Sequence, residues 1–233
     1  MITRVELLSS VECECFVSAL HTLQEHWIPH RPCGFFTFGA ASYLDDLADY
    51  RRIAAAYNPL LRERFGSLLD RVRNELARHL AAPVRFDDNL ARLGFHVWRV
   101  PALFTGAIHF DLQYQRLDWP TDVAPDFDHQ ISFTLPLRLP RRGGGLNMWD
   151  FTYEQVCRFY AQTGSPLAIA DLIAGLAALK KPVYHPYTPG TLVLHSGHLL
   201  HQIAPVAEVD PDDERITLQG HGLCCAGEWC LYW

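Results

Sequence analysis

Gly106-Ala107-Ile108-His109-Phe110-Asp111-Leu112-Gln113-Tyr114 is the stretch from which the rest of the chain is read. Its apolar and aromatic residues predict a β-strand, and on a strand alternate side chains share a face, so His109 and Asp111 point the same way and can grip one ion. Burying an imidazole and a carboxylate on an otherwise apolar strand is costly unless something partners the charge. A third ligand is then needed, and a second β-like run, Leu199-Leu200-His201-Gln202-Ile203-Ala204-Pro205-Val206, can supply it. Two imidazoles and one carboxylate on one side of a metal leave its other positions open. That set suits non-haem Fe(II), which must also take a cosubstrate and O2.

Three histidines compete for the distal position: His195, His198 and His201. Ser196-Gly197 reads as a turn, and His201 lies inside the strand that follows, on the parity of Ile203 and Pro205, which favours it. His198, at the turn, is left to back a ligand or to face substrate, and His195 to fill the place of a larger apolar side chain. Beyond a polar, loop-like segment from Glu208 to Glu214 comes Arg215. An arginine at the start of an inward-facing strand can hold a dicarboxylate by its fork, with Thr217 on the same face to donate a hydroxyl. The alternative is a surface arginine paired with Asp212 or Asp213. Gln113 shares the face of Asp111 and, with Arg116 just beyond, is a candidate for substrate contact. Trp98 and Tyr114 are aromatics for either a pocket or the core.

The remaining sequence supports a small-molecule protein. With 233 residues, 49% hydrophobic and 20% charged, the chain is long enough for a real core. A net charge of -6 leaves no basic excess to neutralise phosphates and argues against nucleic acid. The N-terminus lacks a basic stretch leading into an apolar run, and no window approaches a membrane span, so neither secretion nor membrane insertion is expected. The seven cysteines include no C-x-x-C pair; a reducing cytoplasm is the expected home. Arg138, Arg141 and Arg142 flank Gly143-Gly144-Gly145, but without a Lys-Ser/Thr ending or a following helix this is no phosphate loop. A tight strand connection, with Leu146–Trp149 returning, is expected there. Ser196 lacks the Gly-x-Ser-x-Gly elbow of a hydrolase.

We expect one domain over 1–233: a strand-and-helix flank at 1–83 and a β core at 84–233. In the flank, Ser9 and Glu12 form a capping box for a helix running to about Trp27. Phe35–Gly39 is β-prone, and a helical region from about Leu44 to Leu80 breaks at Asn58-Pro59. In the core, short strands are predicted near 94–100, 107–114, 130–137, 146–149, 191–195, 200–205, 215–223 and 228–232, a pattern of double-sheet jelly rolls. Residues 152–180 read as two inserted helices, the second starting at Ser165-Pro166; they serve either as a lid or as padding for the sheet.

At this point the residues resemble a family. His109-x-Asp111, His201 and Arg215, with Gly190-Thr191-Leu192-Val193-Leu194 before the distal histidine and His201-x-x-x-Pro205-Val206 from it, are similar to the Fe(II)/2-oxoglutarate-dependent dioxygenases over roughly residues 93 to 223. The resemblance implies a double-stranded β-helix (jelly roll, cupin-like) core. It also implies Fe(II) on His109, Asp111 and His201, and 2-oxoglutarate chelating the iron with its far carboxylate at Arg215. Thr217 replaces the serine often found two residues after that arginine. The implied activity is oxidation of a small metabolite, such as an amino acid or natural-product intermediate, by O2, with the oxo acid leaving as succinate. Related halogenases have a small residue in place of Asp111, so hydroxylation or desaturation is implied here. The alternatives are a cupin-like iron or zinc enzyme that does not use 2-oxoglutarate, and a jelly-roll binding protein without turnover.

Overall fold

The computed structural model describes residues 2–233 apart from 31–34, 101, 105, 120–123, 164–167 and 207. The chain opens with β1 (Thr3–Glu6) and α1 (Ser10–His21), whose capping box forms as expected: Ser9 Oγ accepts from the Glu12 N–H, and the Glu12 carboxylate accepts from the Ser9 N–H. α1 stops well short of Trp27. Thr22 turns its hydroxyl onto the Ala19 carbonyl, a single 3-10 turn follows, and Trp27 is extended. The apolar periodicity that pointed further is still used, since Val17, Leu20, Leu23 and Trp27 are all buried.

After β2 (Ile28–His30) and β3 (Phe35–Phe38) comes α2 (Leu47–Leu80), which runs unbroken through Pro59. Proline forfeits one helical hydrogen bond and crowds the preceding turn. Buried side chains on both sides of it, from Tyr50 and Ile53 to Leu61, Phe65, Leu68 and Leu76, pack into the core and keep the helix continuous through the defect. Asn58 adds a clamp, donating to the Leu90 carbonyl and accepting from the Arg92 N–H.

The β core follows as β4 (Val84–Phe86), β5 (Gly94–Arg99), β6 (Pro125–Arg138), β7 (Leu146–Thr152), α3 (Tyr153–Thr163), α4 (Ile169–Leu179), β8 (Val183–His185), β9 (Thr191–His195), β10 (Leu199–Ile203), β11 (Glu214–Cys225) and β12 (Glu228–Tyr232). A large sheet has the order β1-β9-β6-β11-β5-β3-β2, with β12 joining β11 to β4, and a small sheet has the order β10-β7-β8. All pairings are antiparallel except β12 with β4. This two-sheet architecture is the expected jelly roll. Because β6 and β7 lie in different sheets, Gly143-Gly144-Gly145 does not close a hairpin. It carries the chain across from one sheet to the other, and Gly143 and Gly144 do so at φ of 89° and 74°, where a side chain would be strained.

Strand alternation in the large sheet explains where the core sits. On β11, Ile216 and Leu218 face outward and pack with α1 and α2, as do Phe95 and Val97 of β5 and Leu192 and Leu194 of β9. The other parity, Arg215, Gln219 and His221 with His96, Trp98 and His195, faces the space between the sheets. The helices thus cover an apolar outer face and leave a polar inner one. α4 lies over the small sheet, where Ala177 packs with Trp149 and Leu200 and where the Trp149 indole donates to the Ala177 and Lys180 carbonyls. Among the described residues neither α3 nor α4 lines the inter-sheet cavity. α4 begins at Ile169; the proposed Ser165-Pro166 start lies outside the described residues.

Candidate metal centre

Residues 107–114 do not form the expected strand. His109 makes a single antiparallel bridge to His201, its N–H and carbonyl each bonded to the partner at 3.0 Å, and a 3-10 turn over Gln113–Arg116 follows. Asp111 leaves the bridge and is anchored separately, its N–H donating to the Gly197 carbonyl at 2.8 Å. Gly197 is required there, because a Cβ would collide with the Gln130 amide and the Asp111 side chain. The two side chains still converge as alternation had suggested, although one bridge and one turn do the work assigned to a ladder.

His109 Nε2 lies 3.5 Å from Asp111 Oδ1, and His201 Nε2 lies 3.2 Å from Asp111 Oδ2. One ligand atom from each residue falls within 4.8 Å of the others. Each imidazole is oriented by a backbone carbonyl: His109 Nδ1 reaches Ala107 O at 2.9 Å and His201 Nδ1 reaches Leu199 O at 2.8 Å. A carbonyl only accepts, so both Nδ1 atoms are donors and both Nε2 lone pairs face the carboxylate, the arrangement that metal-binding histidines use. Burial opposes charge on His109, and the Asp111 carboxylate overrides it and raises its pKa. Burial likewise opposes charge on Asp111, but His201 and His221 outweigh it and hold the carboxyl well below the usual range. A carboxylate between two imidazole lone pairs fits a divalent cation.

Behind Asp111 stands a hydrogen-bonded chain that the sequence reading did not assemble. Gln113 Nε2 donates to His221 Nε2 at 2.6 Å, which makes His221 Nδ1 the protonated atom. His221 Nδ1 lies 3.0 Å from Ser132 Oγ and 3.9 Å from Asp111 Oδ2. Gln130 donates to Ser132 and accepts from the Gly197 N–H, closing the chain back onto the loop that anchors Asp111. Burial pushes the His221 pKa down to about 4 and that of His195 down to about 3, so both are neutral at pH 7. His195 is a lining residue whose ring lies 4.7 Å from that of His201, rather than a substitute for an apolar side chain.

These groups line one cavity of about 780 Å3 between the sheets. Arg215 lines it too and is 1% exposed, which excludes the surface pairing with Asp212 or Asp213. Its Nε donates to the Gly144 carbonyl at 3.0 Å and its Nη1 to Thr217 Oγ1 at 3.4 Å, while Nη2 is buried with no partner among the described residues. Burial pulls its pKa down to about 10. An unpaired buried guanidinium donor beside a hydroxyl fits a carboxylate. Gln113 lines the cavity as expected. Three expected contacts do not: Thr217 is fully buried, its hydroxyl accepting from Arg215 and Gln219, Arg116 is exposed on the 3-10 turn, and His198 is drawn away by the Tyr114 hydroxyl at 2.8 Å. Arg138, Arg141 and Arg142 are engaged at the surface with Glu14 and Glu214, Asp210, and Glu208. His221 was within reach of the sequence, since the face shared by Arg215 and Thr217 continues through Gln219 to it.

In sequence, neither a family model nor a curated protein matches the chain. In structure it is similar to an N-substituted L-amino acid dioxygenase from Burkholderia ambifaria, with 17% identity, a TM-score of 0.57, and 100% of this chain and 86% of that one covered. It is also similar to the non-heme alpha ketoglutarate dependent epimerase SnoN from nogalamycin biosynthesis (12%, TM-score 0.54, 94% and 76% covered). A further likeness is to HygX from Streptomyces hygroscopicus with nickel and 2-oxoglutarate bound (13%, TM-score 0.51, 94% and 82% covered). At these identities the likeness is one of fold. Since one fold hosts many chemistries, function rests on the site.

Proposed function

We propose that the protein is a non-haem Fe(II)- and 2-oxoglutarate-dependent oxygenase that hydroxylates or desaturates a small metabolite in the cytoplasm. The observation that carries this reading is the placement, in one cavity, of the His109, Asp111 and His201 donors together with a buried guanidinium that has a donor to spare. His109 and His201 would hold the metal through Nε2, with Asp111 as the anionic ligand; Arg215 would receive the far carboxylate of the oxo acid, with Thr217 helping to hold its guanidinium in place. When bound, iron would activate O2, with 2-oxoglutarate supplying two electrons as it is oxidised to succinate and CO2, which gives the power to oxidise an unactivated C–H bond. The chain's part is to orient: Gln113, His221, Ser132 and Gln130 form one run of hydrogen bonds that reaches the Asp111 backbone through Gly197, with His221 Nδ1 3.9 Å from the carboxylate. Support also comes from the bound groups of similar folds, which include alpha-KG in the Burkholderia dioxygenase and nickel with 2-oxoglutarate in HygX. Among the described residues no helix is long and apolar enough to cross a membrane, and the described cysteines are free.

The test is anaerobic. Fe(II) is added to the metal-free protein, then 2-oxoglutarate, and a weak visible charge-transfer band is sought. The band should form, and should be lost in Asp111→Ala. Iron binding without a band would leave a cupin-like enzyme that does not use 2-oxoglutarate, and absence of iron binding would remove the metal centre altogether.

A further inference from the structure

Among the buried polar atoms left without a partner by the described residues are Arg215 Nη2 and the Trp98 indole N–H, and these two belong to cross-strand partners. Arg215 of β11 stands opposite Trp98 of β5 in antiparallel register, a pairing that sets the two Cβ atoms about 5 Å apart on one face. Both residues line the inter-sheet cavity. The indole is pinned. It stacks on Phe35 with ring centroids 4.3 Å apart and planes 6° from parallel, Phe35 stacks in turn with His30, and Ala102, Leu103 and Val206 close the cluster around it. A buried N–H without an acceptor costs free energy, and this one is fixed by packing at the register position of a buried cation that also has a donor to spare. Thr217 offers no alternative. It is fully buried and does not line the cavity, and its hydroxyl oxygen accepts from Arg215 at 3.4 Å and from Gln219 at 3.3 Å.

We propose that Trp98 is a second cosubstrate-binding residue, its indole N–H joining Arg215 Nη2 in receiving the far carboxylate of 2-oxoglutarate. The inference rests on the reading above and deepens it: the neutral donor expected of Thr217 comes from the neighbouring strand instead. An ionised carboxylate only accepts, so it needs donors for both oxygens and one positive charge for balance. The guanidinium supplies the charge and one donor, and the indole supplies a further donor without a second charge to desolvate. Because stacking on Phe35 holds the ring, little rotamer freedom is lost when the ligand arrives.

Trp98→Phe keeps an aromatic ring against Phe35 and removes the N–H. The parent and this variant are each loaded with Ni(II) and titrated by calorimetry with 2-oxoglutarate and with 2-oxopentanoate, which has the same carbon chain and lacks the far carboxylate. The variant should bind 2-oxoglutarate about 10–100-fold more weakly, the loss expected for one hydrogen bond to a charged group, and should bind 2-oxopentanoate as the parent does. Unchanged 2-oxoglutarate affinity, or an equal loss for both acids, overturns the inference while the cofactor reading stands; an equal loss would mean that the indole only packs. A second measurement needs no variant. In the parent labelled with 15N-tryptophan and loaded with diamagnetic Zn(II), one of the six indole N–H resonances should move downfield on adding 2-oxoglutarate and stay in place with 2-oxopentanoate. Absence of such a shift in protein saturated with 2-oxoglutarate also overturns it. If the parent fails to bind 2-oxoglutarate at all, the cofactor reading falls and this inference with it.

Discussion

Replacing Arg215 with methionine tests the cosubstrate site where the structure is most polarised. Burial pulls this guanidinium from 12.5 down to about 10, a difference equivalent to ~3 kcal/mol against the charged form. The lowered value still lies far above neutrality, so the side chain is charged at pH 7 and the penalty is fully present there. A carboxylate docked on Nη2 relieves that penalty and adds a charge-assisted bond. Truncating one member of such a buried pair costs about 2–5 kcal/mol, which is roughly 30-fold to several-thousand-fold in Kd. Methionine gives up the bonds to Gly144 and Thr217 but carries no charge to desolvate, so the ligand-free variant should match its parent to within ~1 kcal/mol. The assay is thermal unfolding with Ni(II) present and 2-oxoglutarate at about a hundred times the parent Kd, where binding adds ~2.7 kcal/mol. For a chain of this size that is a rise of roughly 5–11 °C in Tm. The parent should show it, and Arg215→Met should not, although both bind Ni(II) alike. An equal rise in the variant would refute the assignment of Arg215.

Three further outcomes follow from the same geometry. His221→Ala removes the imidazole 3.9 Å from the Asp111 carboxylate, which is also tied to the Asp111 loop through Ser132, Gln130 and Gly197, and should weaken metal binding about 10–100-fold in a chelator competition; unchanged affinity would make the chain of bonds merely structural. Glu214 accepts from Arg99 at 2.7 Å and Arg138 at 3.1 Å. Burial pushes its pKa up, but the Arg99 bond and the charges of His21 and Arg99 override this and hold it below 4.5. A depressed carboxylate stabilises above its unfolded value and ceases to as pH falls through the native one, so the parent should lose ~1–3 kcal/mol on acidification below about pH 4.5 that Glu214→Gln does not lose. Parallel urea-melt curves for the two proteins would contradict this. Pro59→Ala restores a hydrogen bond inside α2 and should raise stability by about 1–3 kcal/mol; a fall in Tm would mean that the proline serves the helix rather than interrupting it.

Local chemistry was legible where a short motif had one physical outcome. The Ser9–Glu12 box opens α1, β12 occupies Glu228–Tyr232, and His109, Asp111 and His201 meet. Misreadings arose where tertiary burial overruled a local rule. Pro59 reads as a break, yet the stripe on either side of it is worth more than the lost bond. The His-x-Asp alternation reads as a strand, yet Asp111 is anchored by Gly197 instead of a neighbouring strand. The glycine triplet reads as a hairpin because sequence carries no sign of which sheet receives β7. His96 escaped notice because nothing near it in sequence marks it as facing a cavity; its place comes from the pairing of β5 with β11.

The isolated bridge between His109 and His201 gives the centre a mechanical meaning. Two backbone bonds at one point make a clasp, not a ladder, between segments about ninety residues apart in the chain, a closure whose entropy few local contacts offset. An ion shared by both histidines turns the clasp into a rivet. On the proposed reading, loading the metal would stiffen the stretch from His109 to Asp111 along with building the reactive centre, and stripping it would leave that stretch on its bridge to His201 and the Asp111–Gly197 bond.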